Sequence, residues 1–237
     1  MDDQTTGVES RDRDLAAVAV LIGDPARASM LAALATGMAL PAGELARRAG
    51  VSPATATAHL RRLIDGGLVK VRAQGRHRYH ELADPQIAAA LEALAQIAPP
   101  APVHSLREHT AASKLAEART CYDHLAGRRG VELRDHLLAT DAVRPVDDRD
   151  HAVTRRGRAL LLALDIDTGP LEASRRVLAR SCIDWTQRLP HLAGALPAAL
   201  TSRFLELGWV SRSQGRGLRV AEDYDHRLAN WLHASAG

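Results

Sequence analysis

The chain has 237 residues, 46% of them hydrophobic and 25% charged, with a formal net charge of +3. That length is generous for one compact domain and comfortable for two. Two cysteines do not make a disulfide framework, no apolar run approaches the ~20 residues of a membrane span, and the polar start "MDDQTTGVESRDRD" lacks the apolar centre of a signal peptide. The expectation is a cytoplasmic protein with no membrane partner, in which any nucleic-acid binding comes from local clustering of charge.

In chain order, "DLAAVAVLIGD" predicts an apolar helix ended at Gly23. Asp24 then Pro25 is a cap followed by proline at the first helical position, opening "PARASMLAALA". "PAGELARRAG" predicts a short helix stopped by Gly50. Ser52-Pro53 repeats the capping device and launches "ATATAHLRRLID", which Gly66-Gly67 ends. "LVKVRAQGRHRYHEL" alternates as two strands around Gln74-Gly75, and Asp84-Pro85 opens a last helix, "QIAAALEALAQIA".

Two helices joined at Gly50 predict a helix-turn-helix, because Ala46 is small enough for a close crossing and Gly50 tolerates the turn. Its second helix, opened by Pro53, starts slim (Ser52, Ala54, Thr55, Ala56, Thr57) and so suits the major groove, roughly 12 Å wide. His59, Arg61 and Arg62 follow on that helix, and Arg76, His77 and Arg78 sit at the hairpin tip. Between Pro41 and Leu82 eight Lys and Arg face three acids, a local +5, which leaves −2 for the rest of the chain. The basic character is therefore confined to the module that would meet phosphates, and double-stranded DNA is the expected partner.

These residues, "GDPARASMLAAL" and "ELARRAGVSPATATAHLRRLIDGGLVKVRAQGRHRYHEL", resemble the winged-helix domain of the ArsR/SmtB family over residues of about 12–97. The resemblance implies a homodimeric repressor that leaves its operator when an inducer, a metal or a small molecule, binds. It also implies that Ser52 to Arg62 lie in the major groove and Arg76 to Arg78 at the wing. Two departures stand out. Metal-responsive members often carry cysteines in the first helix of the motif or histidines on the last helix, and "ELARRAG" and "DPQIAAALEALAQIA" have neither.

The stretch "APPAPVHS", 98–105, with Pro99, Pro100 and Pro102, is the clearest linker. Beyond it, a constant shift of 67 residues matches the chain to itself. "HLAG" recurs at 124–127 and 191–194, Leu133 meets Leu200, Val143 meets Val210, and Leu161 meets Leu228. Each copy, 124–164 and 191–231, reads as helix, strand pair, helix. The expected fold is thus mainly α with small β-hairpin wings, an α+β architecture. It comprises a winged helix-turn-helix at 12–97 and a regulatory or dimerising domain at 106–237 built from two winged-helix-like repeats.

The cysteines fall in this half. Cys121 and His124 share a face if the preceding helix runs through them; Cys182, Asp184 and His191 lie in the second such element. Two Cys and two His suit Zn²⁺ or another soft metal ion, a thiol-reactive pair is a second reading, and buried structural thiols a third. With the ungapped shift the histidines align, but Cys121 falls on Arg188 and Cys182 on Leu115, as if the thiols were separate additions. Tyr122, Trp185 and Trp209 would line an organic-ligand pocket or simply fill the core. No nucleophile elbow, phosphate loop or zincin motif occurs, so no enzyme activity is expected. The functional expectation is a DNA-binding regulator modulated through its C-terminal half; a constitutive DNA-binding factor, or a ligand-binding or enzymatic module tethered to DNA, are its rivals.

Overall fold

The computed structural model describes residues 13–99, 105–213 and 215–233, which form two compact units: 13–34 with 39–83, and 35–38 with 84–233. In the first unit, α1 (Leu15–Ile22) and α2 (Pro25–Leu34) meet at an angle of 92°. β1 (Leu40–Pro41), α3 (Ala42–Ala49), α4 (Pro53–Asp65), β2 (Val69–Gln74) and β3 (His77–Leu82) follow. The caps act as their chemistry requires. Ser52 Oγ accepts from Thr55 N at 3.1 Å, and Gly50 adopts the left-handed conformation with φ 66° that ends α3. Met30, Leu31, Leu45, Ala56, Leu60 and Leu63 are buried where α2, α3 and α4 meet. Unanticipated is β1, which adds a third strand in the order β1-β3-β2 by pairing Leu40 with His80.

The α1–α2 corner gives "GDPAR" its meaning. Arg27, only 5% exposed, donates to the carbonyls of Val20 (2.7 Å) and Leu21 (2.6 Å), which would otherwise be orphaned at the end of α1. Asp24 caps α2 by accepting from Arg27 N at 2.9 Å.

The second unit begins at α5 (Pro85–Ile97), so the boundary between units falls at Ala83–Asp84 rather than after Ile97. The reason is contact: Gln96 Nε2 donates to Ile183 O at 3.1 Å, and buried Glu92 pairs with Arg216. Most of the proline-rich stretch, 100–104, lies outside the described residues, as does Gln214 of the second "QGR". Next come α6 (Leu106–Glu117), β4 (Arg119–Cys121), β5 (His124–Ala126), α7 (Arg128–Ala139), β6 (Val143–Pro145), β7 (Asp150–Val153) and α8 (Arg155–Leu162). After α9 (Thr168–Glu172) the pattern returns as β8 (Ala179–Ile183), β9 (Pro190–Ala193), α10 (Ala195–Glu206), β10 (Val210–Arg212), β11 (Leu218–Val220) and α11 (Tyr224–His233). Each copy therefore opens with a hairpin the expectation did not contain, because strands of three to five residues are too short to show a period.

The copies are interlocked. The wing of the first, β6–β7, pairs through β7 with β8 of the second, so that the sheet runs β6-β7-β8-β9. The wing of the second reaches β4 of the first through the Arg119–Gly217 bridge. Equivalent hydrogen bonds occur at both places: Ser181 N donates to Arg149 O at 2.7 Å, and Thr120 N to Arg216 O at 2.8 Å. Likewise α7 packs on β9 and α10 on β5. Such reciprocity is the mark of a twofold relation between copies.

Among the described residues no single helix is long and apolar enough to cross a membrane. At the starts of α7 and α10 stand Gly127 (φ 77°) and Gly194 (φ 123°). A Cβ at Gly194 would lie 2.6 Å from Val177 O, and one at Gly127 would lie 2.8 Å from Ala116 O. We expect Gly127→Ala and Gly194→Ala each to lower stability by about 1–3 kcal/mol in urea denaturation. Gly43→Ala, whose Cβ meets nothing within 4 Å, should be neutral or slightly stabilising.

Candidate DNA interface and thiol–imidazole cluster

On the first unit, Ser52, Pro53, Thr55, Thr57, Arg61 and Arg62 are exposed along α4, and Arg76, His77 and Arg78 at the tip of the β2–β3 hairpin. Arg61 makes only a loose contact with Asp65, 3.9 Å, and stays 84% exposed, which leaves its charge available. Two residues expected on this surface are not there. Ala56 is fully buried in the α2–α3–α4 core, so it packs rather than reads bases. His59 is drawn inward, its Nδ1 lying 3.8 Å from Asp24 Oδ1 and 3.4 Å from Arg27 Nη1, and it ties α4 to the α1–α2 corner. Both follow from helix geometry: positions 56, 59, 60 and 63 share the face that α4 turns to its neighbours.

In the second unit the sulfurs and imidazoles of Cys121, His124, Cys182 and His191 all come within 4.8 Å of one another. They do not share a helix face. α6 ends at Glu117, and Cys121 sits directly opposite His124 across the β4–β5 hairpin. Cys182 sits directly opposite His191 across β8–β9 in the same way. The thiols are thus equivalent, not separate additions. "RTCYD" at 119–123 matches "RSCID" at 180–184 with a shift of 61, and "HLAG" matches with a shift of 67. Six extra residues in the second hairpin loop separate the two shifts, and an ungapped comparison cannot register both.

The surroundings are dry and charged. Cys121, His124 and His191 are buried and Cys182 is half-buried. The two imidazoles stack, with Nε2 facing Nε2 at 3.2 Å. His124 Nδ1 lies 3.4 Å from Asp123 Oδ1, and Arg176 grips Asp123 through both oxygens at 2.5 and 2.8 Å. Burial pushes the Asp123 carboxyl up, but Arg176 and His124 outweigh it and bring it to about 2. The Cys121 thiol donates toward Cys182, which pulls Cys182 well down with help from both imidazoles, while Cys121 is pushed up.

Beside the cluster runs a buried ion pair that the sequence reading missed. Arg119 and Asp184 are both wholly buried, 2.9 Å apart. Asp184 also accepts from Gly127 N (2.6 Å), Thr186 N (2.8 Å), Thr186 Oγ1 (2.6 Å) and Gln187 N (3.0 Å). The guanidinium lies 4.7 Å from the centre of the Trp185 ring. Trp185 is therefore a platform for Arg119. Of the two roles open to Trp209, pocket wall or core, it takes the second, stacked on Phe204 at 4.7 Å with Tyr224 and Trp231 edge-on around it. Half-buried Tyr122 takes a left-handed backbone (φ 58°) in the turn between Cys121 and His124. The signal for the ion pair was present as Arg and Asp flanking each cysteine, but only the gapped alignment exposes it.

A helix-turn-helix domain family matches residues 22–72. The HTH-type transcriptional regulator YdfF of Bacillus subtilis is 41% identical over 210 residues, covering 88% of this chain and 92% of that protein. The chain belongs to the ArsR/SmtB-type HTH transcriptional regulators. It is a DNA-binding transcriptional regulator with a C-terminal extension, and YdfF shares nearly the whole length. The HTH-type transcriptional regulator CmtR of Mycobacterium tuberculosis is 36% identical over 89 residues, 38% of this chain and 75% of its own. The solved structure described as the cadmium metal-sensor CmtR of that organism is 33% identical and covers 39% of this chain and all of its own, with a TM-score of 0.31.

Breaking the buried pair should be costly, because the surviving charge has no water to turn to. We expect Asp184→Asn to destabilise the C-terminal unit by about 3–5 kcal/mol, read from chemical denaturation. Asp165→Asn, on an 81%-exposed carboxylate, should cost under about 1 kcal/mol.

Proposed function

We propose that the protein is a homodimeric repressor acting on operator DNA in the cytoplasm, whose affinity is set through the C-terminal unit by binding rather than by catalysis. What carries the reading is that the two kinds of chemistry are segregated. The arginines of α4 and the wing tip are exposed on the first unit, whereas the thiols and imidazoles of the second turn inward on one another. A surface of exposed cations suits a polyanion, and an inward set of soft donors suits a ligand that alters packing. Dimerisation is supported by α1. Its sequence LAAVAVLI has no buried residue, and Leu15 and Val20 are 76% and 71% exposed. An apolar helix left this open on a monomer calls for a partner, and palindromic half-sites call for two copies.

An operator duplex selected from a random-sequence library by the wild-type protein provides the assay. Arg61→Ala with Arg62→Ala should weaken binding and reduce the slope of log affinity against log salt by about 2, since each lost phosphate contact releases about one counterion fewer. An unchanged slope would mean that α4 does not track the backbone. Leu15→Asp with Val20→Asp should halve the mass in light scattering and weaken operator binding. Cys121→Ser with Cys182→Ser should shift affinity about fivefold or more, the lower end of ordinary coupling between sites. Equal affinity in that variant would favour a constitutive DNA-binding factor.

A further inference from the structure

We propose that Cys121, His124, Cys182 and His191 form a closed tetrahedral site for a Zn²⁺-class cation, which clamps the two repeat copies together on their twofold axis. This assignment stands or falls independently of whether the site controls DNA binding.

Geometry is the first ground. Zn–N bonds of about 2.0–2.1 Å in a tetrahedron separate two nitrogens by about 3.3 Å, and Zn–S bonds of about 2.3 Å separate two sulfurs by about 3.8 Å. The two Nε2 atoms are 3.2 Å apart, and all four donors lie within 4.8 Å of one another. Each copy contributes one cysteine and one histidine as direct cross-strand partners, which places both side chains on the same face of their hairpin. Reciprocal packing of the copies then brings the two faces together. The four donors are thus assembled by backbone register and not by chance rotamers.

Donor chemistry narrows the occupant. Two soft thiolates and two imidazoles select a borderline-soft ion over Mg²⁺ or Ca²⁺, which require oxygen ligands. Two thiolates also neutralise a divalent charge, which a buried site demands. Asp123, locked by Arg176, meets Nδ1 of His124 and so fixes the ring with Nε2 directed at the cluster, the arrangement that orients a metal-bound histidine. Burial of three of the four residues leaves no position open to a substrate, so the site is structural in type. Binding converts M²⁺, two thiols and two neutral imidazoles into a neutral M(Cys⁻)₂(His)₂ centre and releases up to two protons to solvent; no electron is transferred.

The test uses the full-length protein stripped of metal under reducing conditions, then titrated with Zn²⁺ and separately with Co²⁺. We expect one ion per chain, a Co²⁺ spectrum with intense tetrahedral ligand-field bands and thiolate charge transfer, and protection of both thiols from alkylation by Zn²⁺. Cys182→Ser should compete at least about tenfold less well against a chromophoric chelator, and Asp123→Asn about tenfold less well. If the cysteine variant fails to fold, the alkylation protection of the wild type still decides the question. The proposal is overturned if the wild type binds no Co²⁺, if its spectrum lacks thiolate charge transfer, if Zn²⁺ leaves the thiols open to alkylation, or if a Cys121–Cys182 disulfide forms in preference to metal uptake under reducing conditions. Unchanged operator affinity in a variant that has lost the metal would refute coupling to DNA and leave the metal site standing.

Discussion

The C-terminal unit depends on one constraint: neither copy of its repeat can complete its own sheet. β6–β7 finds its further partner in β8, and β10–β11 finds its partner in β4. A two-stranded hairpin alone is marginal in water, so each wing gains stability only by pairing across to the other copy. The helices follow, α7 covering β9 and α10 covering β5, and the core is shared from the start. Gly127 and Gly194 are needed because α7 and α10 begin against backbone carbonyls that leave no room for a side chain.

That interlock explains the charged interior. Arg119 and its counterpart Arg180 occupy matching strand positions, but Arg180 meets Asp150 at a half-exposed edge while Arg119 faces Gly217 at the matching place. With no carboxylate opposite, Arg119 turns to Asp184, and that pair is buried completely. A buried pair of this kind does not add much stability over an apolar substitute, yet it penalises misregister strongly. Here it accompanies the two Cys–His hairpins, whose register the proposed metal site requires.

The two units divide the labour by solvation. The surface proposed to meet DNA keeps its cations exposed, as suits phosphate contact, a long-range, salt-dependent attraction that needs accessible charge. The cluster keeps its donors dry because soft ligands compete best for a metal away from water. His59 shows how the first unit is held: a residue on α4 is used to fasten that helix to the α1–α2 corner through Asp24 and Arg27.

Read alone, the sequence determined the helices, the turn at Gly50, the α4 cap and the wing, since capping, periodicity and local charge are properties of neighbouring residues. It also held the repeat, visible as "HLAG" twice. What only the tertiary structure decided was how the copies combine. Short hairpins have no period to read, and a six-residue insertion hid the match between Cys121 and Cys182. The inward turn of Ala56 and His59, and the burial of Trp209 among Phe204, Tyr224 and Trp231, likewise depend on which face meets a neighbour. Two cysteines and two histidines could be counted in the sequence, but their meeting within 4.8 Å required two hairpins 61 residues apart to pack face to face, and only long-range contacts can do that.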